Sequence, residues 1–323
     1  MDLTIAAYDQ AEAQARLTAP YPVIRAFTPT HFQLCGFPTR VTEEIELRRY
    51  ADIMGENTPR AELVEKARFS QKEAVLIHDM QKGVEFLTRK LFDNPVSPYT
   101  SLFGPITLVR AIQYFAELHS RKLMVMDISA GAGYLSAYLS GLGHKLIVTE
   151  VTQALYLWQN RLLHHLHLDE WALPSKLTRD DRILHMPWWH FGNLYNIHHS
   201  PQFVDIVICD AALGEMDPWA FRYTLHLAKD LLASSTVGCL LYTNVGEQRA
   251  QTEKQVLGYA MELGFKVFHL SGVTILCPYR PKLPRSFPPL GGPAALRIPD
   301  FLSFDKSKLM ESYEFCDYIN VGR

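Results

Sequence analysis

The sequence has no apolar run near the roughly 20 residues that a membrane-spanning helix needs, and it has no excess of charge of one sign. Its 323 residues carry a formal net charge of −2 without a marked run of lysine and arginine, so nucleic acid is not an expected partner. The start, Met1-Asp-Leu-Thr, lacks the basic and apolar segments of a signal peptide. We therefore expect a cytoplasmic protein that binds neither membranes nor nucleic acid.

Cysteine is also scarce. The chain has five cysteines, and no two of them are spaced like the ligands of a zinc knuckle. His164, His165 and His167 share a predicted helix, but no carboxylate partner accompanies them. The sequence thus predicts no metal site, and a disulfide scaffold is not expected either.

The composition is that of an ordinary globular protein, with 48% hydrophobic and 20% charged residues. The length suits one core domain with a substantial extension. Early in the chain, Ser70-Gln-Lys-Glu73 has the form of a capping box, and the helix that follows has one apolar face. We divide the chain into a mostly helical region (1–103), a core domain (104–279) and a proline- and glycine-rich linker with a tail (280–323).

Short apolar runs alternate with helical patterns from residue 122 onward. Strands that alternate with helices predict a parallel sheet with helices on both faces. Only a tight turn at Ser271-Gly272 separates the last two runs, so these two strands must pair antiparallel. The predicted fold is α/β, with a seven-stranded, mostly parallel sheet and a terminal antiparallel hairpin. The strands are predicted at 123–126, 145–149, 183–186, 204–209, 237–242, 265–269 and 273–277.

Small residues form the turn after the first predicted strand, which reads Asp127-Ile-Ser-Ala-Gly-Ala-Gly133. Glycines let a ligand approach the backbone closely and leave the N-terminus of the following helix free to face it. Glu150 ends the second strand, where its carboxylate can accept hydrogen bonds from both hydroxyls of a ribose, and Asp210 ends the fourth. A glycine turn alone is also a common strand-to-helix connection, but together with both acids it indicates a nucleoside-binding site.

These residues resemble the motifs of class I S-adenosylmethionine-dependent methyltransferases. The segment from Asp127 to Gly133 is similar to the family's first motif, and Glu150 is similar to the acid that ends its second strand. Asp205 and Asp210 match the two ends of its fourth strand. The resemblance covers about residues 104–279 and implies the seven-stranded fold, with S-adenosylmethionine as the cofactor. The predicted cofactor-binding residues are Asp127, Ser129, Ala130, Gly131, Gly133, Glu150, Val151, Met186, Trp188 and Asp210.

The sequence departs from the family pattern at two places. Ser129 replaces the first glycine of the motif, which narrows the pocket near the methionine end of the cofactor. The acid that often follows the third strand is also missing. Met186 or Trp188 is expected to pack against the adenine instead, and Asp180 and Asp181 are alternative partners.

Methyl transfer from a sulfonium needs an aligned nucleophile and a group that removes its proton. Glu215, after the fourth strand, and His190 are the predicted catalytic bases, and His198 and His199 are alternatives. The helical region 1–103 resembles the lids that such enzymes fold over small substrates. The predicted function is therefore methylation of a small molecule, at an oxygen, with general-base assistance. The oligomeric state stays open, and a homodimer is compatible with the sequence.

Two other functions stay open. A methyltransferase-like subunit could bind the cofactor without activity or serve as a scaffold, which Ser129 and the missing acid favour. A dinucleotide-dependent oxidoreductase has a similar glycine turn. The position of Asp127 before the glycines and the terminal hairpin both disfavour this second alternative.

Overall fold

The computed structural model describes residues 3–28, 38–53, 69, 71–98, 100–166, 171–172, 182–192, 194, 204–233, 235–245, 251–270 and 273–278. Five sequence predictions fall wholly or partly outside these residues: the segment 280–323, the alternative bases His198 and His199, the alternative adenine partners Asp180 and Asp181, the capping box at Ser70, and the turn at Ser271-Gly272. Within the described ranges, no helix combines the length and the apolar character that crossing a bilayer requires.

Helices dominate the first part of the chain, and helices alternate with strands after residue 122. The helices are α1 (Ile5–Thr18), α2 (Tyr21–Phe27), the 3-10 helix η1 (Glu44–Asp52), α3 (Gln71–Phe92), α4 (Thr100–Phe103), α5 (Ile106–Leu118), α6 (Tyr134–Gly141), α7 (Gln153–Leu166), the 3-10 helix η2 (Trp188–His190), α8 (Pro218–Leu232) and α9 (Glu253–Glu262). The strands are β1 (Met124–Ile128), β2 (Lys145–Glu150), β3 (Trp171–Ala172), β4 (Ile183–Pro187), β5 (Ile206–Ile208), β6 (Cys239–Tyr242), β7 (Lys266–Leu270) and β8 (Val273–Cys277).

The strands form one sheet in the order β3-β4-β2-β1-β5-β6-β8-β7. β1 pairs in parallel with β2 and with β5, while β8 pairs antiparallel with both β6 and β7. The predicted seven-stranded sheet with its terminal hairpin is confirmed, and the short strand β3 adds an eighth at the edge, beside β4. β3 was not predicted from the sequence, because a strand of two residues shows no periodicity.

Apolar side chains cover both faces of the sheet. β4, β5, β6 and β8 are buried at every position, as expected for strands that have helices on both sides. The first core cluster joins α3, α5, α6 and α7 to one face of the sheet. The second cluster joins α2, α8 and α9 to the opposite face. Helices from the first hundred residues therefore contribute to both cores.

The longest helix of the N-terminal part, α3, packs on the core through the apolar face that its spacing predicts. Its buried side chains in the first cluster are Ile77, Met80, Val84 and Leu87. An ion pair adds to these contacts, because Arg110 of α5 donates to both carboxylate oxygens of Glu73 of α3, at 2.6 and 3.0 Å. Both side chains are buried, so α3 is attached to the core by apolar packing and by a pair of opposite charges.

Strand β1 differs from its predicted bounds in a way that affects the site. It covers Met124–Ile128, so Asp127 lies inside the strand and not in the turn after it. The physical reason is that the backbone ladder continues past the apolar run: Asp127 pairs with Val148 of β2 and with Ile208 of β5. A local apolar pattern cannot reveal these pairings, because they depend on neighbouring strands.

Candidate functional site

The candidate site lies at the carboxyl edge of the sheet, where β1 and β2 end. The turn from β1 into α6 holds Ser129, Gly131 and Gly133 in the left-handed region, with φ of 60°, 57° and 80°. The backbone amides of Ser129 and Ala130 donate to the carbonyl oxygen of Thr149, at 3.1 and 3.3 Å. These bonds hold the turn against the end of β2, and α6 starts directly after it with Gly133 as its N-cap residue.

The two glycines of this turn have different surroundings. A Cβ atom at Gly133 would lie 3.2 Å from Cγ of Gln159, so a side chain there would press on α7. A Cβ atom at Gly131 would meet no protein atom within 4 Å. Within the described structure, the constraint on Gly131 is therefore its positive φ, and any further constraint must come from a ligand.

Glu150 ends β2 and is buried at the same edge. Its Oε1 accepts hydrogen bonds from the amides of Val151 and Thr152, at 2.8 and 3.1 Å, and its Oε2 accepts one from Nε2 of Gln159 at 3.2 Å. Burial raises the pKa of Glu150, and the hydrogen bonds from these residues and from the backbone of Gly131 oppose that rise. The carboxylate thus joins the turn, β2 and α7, and a ribose hydroxyl would compete with Gln159 for it.

Asp127 lies one residue before the end of β1. It is buried inside β1, and its Oδ2 accepts a hydrogen bond from the hydroxyl of Ser136 of α6 at 2.7 Å. Burial raises the pKa of Asp127 to about 7, an effect that the Ser136 bond opposes and the negative charges of Asp210 and Glu150 strengthen. Asp127 thus lies inside the strand, one residue before its end, and a contact of its carboxyl group with a cofactor stays a prediction.

Negative charge is concentrated around the end of β5. The pKa of the buried Cys209 thiol is raised first by burial and then by nearby carboxylates. These carboxylates belong to Asp127, Asp210, Glu150 and Glu215. Four of the predicted site residues therefore lie near enough to Cys209 to raise the pKa of its thiol. Across the described part of the chain, no group of three or more histidine, cysteine, aspartate or glutamate side chains could hold a metal ion.

Asp210 and Glu215 belong to the loop between β5 and α8. Oδ1 of Asp210 accepts hydrogen bonds from the amide and the hydroxyl of Thr243, at 2.6 and 2.7 Å, which ties the end of β5 to the end of β6. Glu215 is partly buried and follows Gly214. A Cβ atom at Gly214 would overlap the carbonyl oxygen of Val245, so only glycine fits there. Sequence reasoning missed Gly214, because nothing local distinguishes it from other glycines.

Met186 and Trp188, the predicted adenine contacts, are fully buried in the second core cluster. Met186 belongs to β4 and Trp188 starts η2. Nε1 of Trp188 donates to Oε1 of Glu12 in α1 at 3.0 Å, so its indole N–H has a partner inside the protein. Core packing accounts for both side chains, and a contact with adenine stays a prediction.

Three smaller predicted contacts lie at the same edge as the turn. Ser129 and Ala130 are partly exposed, and Val151 is buried directly after β2. The hydroxyl oxygen of Ser129 is buried, yet it has no hydrogen-bond partner in the described structure. A buried hydroxyl without a partner is unfavourable, so Ser129 is suited to contact a ligand in the turn.

His190, the second predicted base, ends η2. Burial lowers the pKa of His190, which keeps its imidazole neutral at neutral pH. A neutral imidazole can take up a proton. Its ring lies beside that of Trp189, with centroids 6.2 Å apart. The protonation state of His190 thus suits a base, while its position relative to an acceptor stays a prediction.

Two features of this edge were missed by sequence reasoning. Helix α1 packs beside it, with the ring of Tyr8 5.3 Å from that of Tyr156 and 5.1 Å from that of Trp189. Gln159 of α7 links Glu150 to the turn, because its Nε2 also donates to the carbonyl oxygen of Gly131 at 2.7 Å. Neither residue type carries a sequence signal for such contacts, which connect segments far apart in the chain.

No protein-family model and no curated protein match the chain. Solved structures overlap it in part. Magnesium protoporphyrin IX methyltransferase from Synechocystis PCC 6803 is 12% identical, with a TM-score of 0.36 over 64% of this chain and 96% of that one. A TehB-like SAM-dependent methyltransferase from Corynebacterium glutamicum is 13% identical, with a TM-score of 0.35 over 52% of this chain and 85% of that one. The bifunctional kinase-methyltransferase WbdD is 10% identical with a TM-score of 0.39, and the overlap covers 64% of this chain and 46% of WbdD.

These overlaps are too slight to indicate a function or a substrate. The fold follows from the chain's own sheet, in which parallel strands diverge from β1 to both sides and an antiparallel hairpin closes one end. The small-residue turn directly follows β1, and Glu150 ends β2, so both motifs lie at the carboxyl edge of this sheet. The described part of this chain has the class I methyltransferase fold.

Proposed function

We propose that this protein is an S-adenosylmethionine-dependent methyltransferase. The observation that carries the proposal is the turn at the sheet edge, where the space over Gly131 is open and Gln159 links Gly131 to Glu150. The carboxyl groups of Asp127, Asp210 and Glu215 add negative charge near Cys209. S-adenosylmethionine has a sulfonium and an ammonium cation, which such an edge attracts. The pyrophosphate of a dinucleotide is anionic and would be repelled by the same charges. The electrostatics therefore favour the methyltransferase over the oxidoreductase.

The residues at the edge fit this cofactor. Glu150 can accept a hydrogen bond from a ribose hydroxyl if that hydroxyl replaces Nε2 of Gln159 as the donor to Oε2. The hydroxyl of Ser129, which has no partner in the described structure, is available to contact the cofactor from the turn. The open space over Gly131 lets a ligand approach the backbone. When bound, the cofactor supplies an electrophilic methyl group on its sulfur.

The acceptor in this proposal is a small molecule methylated at a hydroxyl oxygen. As that oxygen bonds to the methyl carbon, the carbon–sulfur bond breaks, and the hydroxyl proton must pass to a base. Neutral His190 or the carboxylate of Glu215 takes this proton. The helical region 1–103 acts as a lid that excludes water from the reacting groups, and α3 is the part of it that packs on the core through Ile77, Met80, Val84 and Leu87.

Isothermal titration calorimetry of the full chain with S-adenosylmethionine and with NAD tests the proposal. We expect binding of the first and none of the second. Tighter binding of NAD, or no binding of S-adenosylmethionine, would show the proposal to be wrong. A screen of hydroxyl-bearing small molecules for release of S-adenosylhomocysteine then distinguishes an enzyme from a subunit that only binds the cofactor.

Gly131→Ala is expected to separate binding from folding. Because the space around this residue is open, the alanine costs only about 1 kcal/mol of stability, through its positive φ. A cofactor lying against the turn would collide with the new methyl group, so the affinity for S-adenosylmethionine should fall at least about tenfold, a loss of about 1.4 kcal/mol in binding free energy. Thermal unfolding and calorimetry measure the two effects.

The matched control for this substitution is Gly141→Ala. Gly141 lies in α6, also with no atom within 4 Å of an added Cβ, but without a positive φ. Alanine is a better helix former than glycine by about 1 kcal/mol, so this variant should be no less stable than the wild type and should bind the cofactor equally well. Unchanged affinity of a folded Gly131→Ala variant would contradict the location of the cofactor.

The affinity for S-adenosylmethionine is expected to rise with pH through about 7. Since burial raises the pKa of Asp127 to about 7, its carboxyl group is largely protonated at lower pH. A cation binds more tightly near the ionised form, so the affinity should fall roughly fivefold to tenfold between about pH 7.5 and about pH 6. Calorimetry in two buffers of different ionisation enthalpy measures the affinity and the protons released.

Asp127→Asn should remove this pH dependence. The stability of the free protein depends on Asp127 in the opposite way and falls as the pH rises. The cause is that Asp127 keeps its proton in the folded chain at pH values where the unfolded chain has already lost it. That contribution is fully present below the ordinary pKa of an aspartate and is lost as the pH rises through about 7. The asparagine variant should therefore be at least as stable as the wild type above that pH. If its affinity still varies with pH to the same extent, another group is responsible.

A further inference from the structure

Helix α1 is held against the candidate site by polar contacts with residues that follow β2 and β4. Asp9 accepts a hydrogen bond from Nε2 of Gln153, the first residue of α7, at 2.6 Å. Glu12 accepts one from Nε1 of Trp188, the first residue after β4, at 3.0 Å. The helix therefore spans the carboxyl ends of two neighbouring strands, and one of these strands ends in Glu150.

Tyr8 is the aromatic residue by which α1 contacts this edge. It is completely buried, and its ring packs against those of Tyr156 and Trp189. Its hydroxyl group has no hydrogen-bond partner among the described residues. Buried polar groups in proteins are nearly always hydrogen-bonded, so this hydroxyl calls for a partner that the described chain does not provide.

The charges around Tyr8 indicate what kind of partner fits. Burial raises the pKa of Tyr8, and the negative charges of Glu12 and Glu150 raise it further, so the hydroxyl keeps its proton and is a donor. The ring of Tyr8 packs on Tyr156 of α7, the helix whose Gln159 donates to Glu150, so this donor lies in the same part of the edge as the Glu150 carboxylate. Such a pair matches an alcohol, because one hydroxyl can accept from the first group and donate to the second. Under the proposed function, the alcohol next to Glu150 belongs to a ribose.

We propose that Tyr8 is a binding residue of the cofactor site, whose hydroxyl donates a hydrogen bond to the ribose hydroxyl that donates to Glu150. The ligand class is a nucleoside with free ribose hydroxyls, so this inference rests on the proposed function. It makes α1 a part of the binding site and gives the buried Tyr8 hydroxyl its missing partner.

Tyr8→Phe tests this inference, because phenylalanine keeps the ring that packs on Tyr156 and Trp189 and removes only the oxygen. The full-length wild type and the variant are titrated with S-adenosylhomocysteine and with its 2′-deoxy and 3′-deoxy analogues. We expect the variant to bind S-adenosylhomocysteine about fivefold to tenfold more weakly. The analogue without the contacted hydroxyl should bind equally to both proteins.

Tyr138→Phe is the matched control. Tyr138 is a buried tyrosine of α6 whose hydroxyl donates to the carbonyl oxygen of Leu102 at 3.2 Å, so its loss should not change the affinity. Binding of S-adenosylhomocysteine to Tyr8→Phe within about twofold of the wild type overturns the inference. Tighter binding also overturns it, because the hydroxyl would then occupy the place of the ligand. A wild type that does not bind S-adenosylhomocysteine contradicts the proposed function, and this inference with it.

Discussion

Replacing Glu150 by alanine is expected to weaken the binding of S-adenosylmethionine about tenfold to a hundredfold. The lost interaction is a charge-assisted hydrogen bond to a ribose hydroxyl, worth about 1.5–3 kcal/mol. We expect the effect of one such bond and not of two, because protein donors already engage both oxygens of the carboxylate. Calorimetry measures the change, and a loss of less than about threefold, which is below 1 kcal/mol, would show that Glu150 does not bind the ribose.

Glu150→Gln distinguishes the ligand contact from the local role of this side chain. Oε1 of Glu150 accepts from the amides of Val151 and Thr152, so alanine also loosens the link between β2 and α7. Glutamine retains one oxygen for these amides and replaces the second acceptor by a donor. We expect it to be closer to the wild type in thermal stability than alanine is, yet to lose a similar amount of affinity. Wild-type affinity in the glutamine variant would place the ribose elsewhere.

Arg110→Met is expected to destabilise the protein by about 3–5 kcal/mol, because it leaves the carboxylate of Glu73 buried without its cation. In the structure the guanidinium donates to both oxygens of Glu73, and neither side chain is exposed. The pair joins α3 to α5 across the predicted boundary between 1–103 and 104–279. Denaturant unfolding measures the change in the free energy of unfolding.

Two further variants identify the cause of this effect. The double variant Arg110→Met with Glu73→Leu removes both charges, and it should recover much of the loss because apolar pairs can replace buried ion pairs. Lys82→Met breaks a pair with Glu85 at 3.1 Å in which the lysine is 60% exposed, and it should cost less than about 0.5 kcal/mol. A loss below about 1 kcal/mol for Arg110→Met would mean that α3 is not held to the core by this pair.

Local patterns in the sequence predicted the elements whose physical cause is itself local. The apolar face of α3 and the alternation of strands with helices depend on residue spacing, and the structure confirms both. The short link at Ser271-Gly272 predicted the antiparallel pairing of β7 with β8, because no crossover can be that short. The small residues from Ser129 to Gly133 predicted the tight turn, which contains three positive φ angles.

Patterns in the sequence did not predict features that depend on residues far apart in the chain but close together in space. Asp127 was expected in the turn after its strand, but pairing with β2 and β5 extends the strand through it, and the hydroxyl of Ser136 donates to its carboxylate. The bond from the indole of Trp188 to Glu12, far away in the chain, was likewise not predicted. Gly214 is required only because the backbone of Val245 passes close by.

The sequence by itself determined the class of fold, the turn after β1 and the acid that ends β2, since periodicity, glycine content and short connections act within a few residues. Only the tertiary structure decided that α1 lies against the same edge, through the contact of Glu12 with Trp188, 176 positions apart. It also decided that Gln159 links Glu150 to the turn after β1. The reason is physical: burial and electrostatic energies depend on distance in space, and residues separated by half the chain carry no local signal of being neighbours.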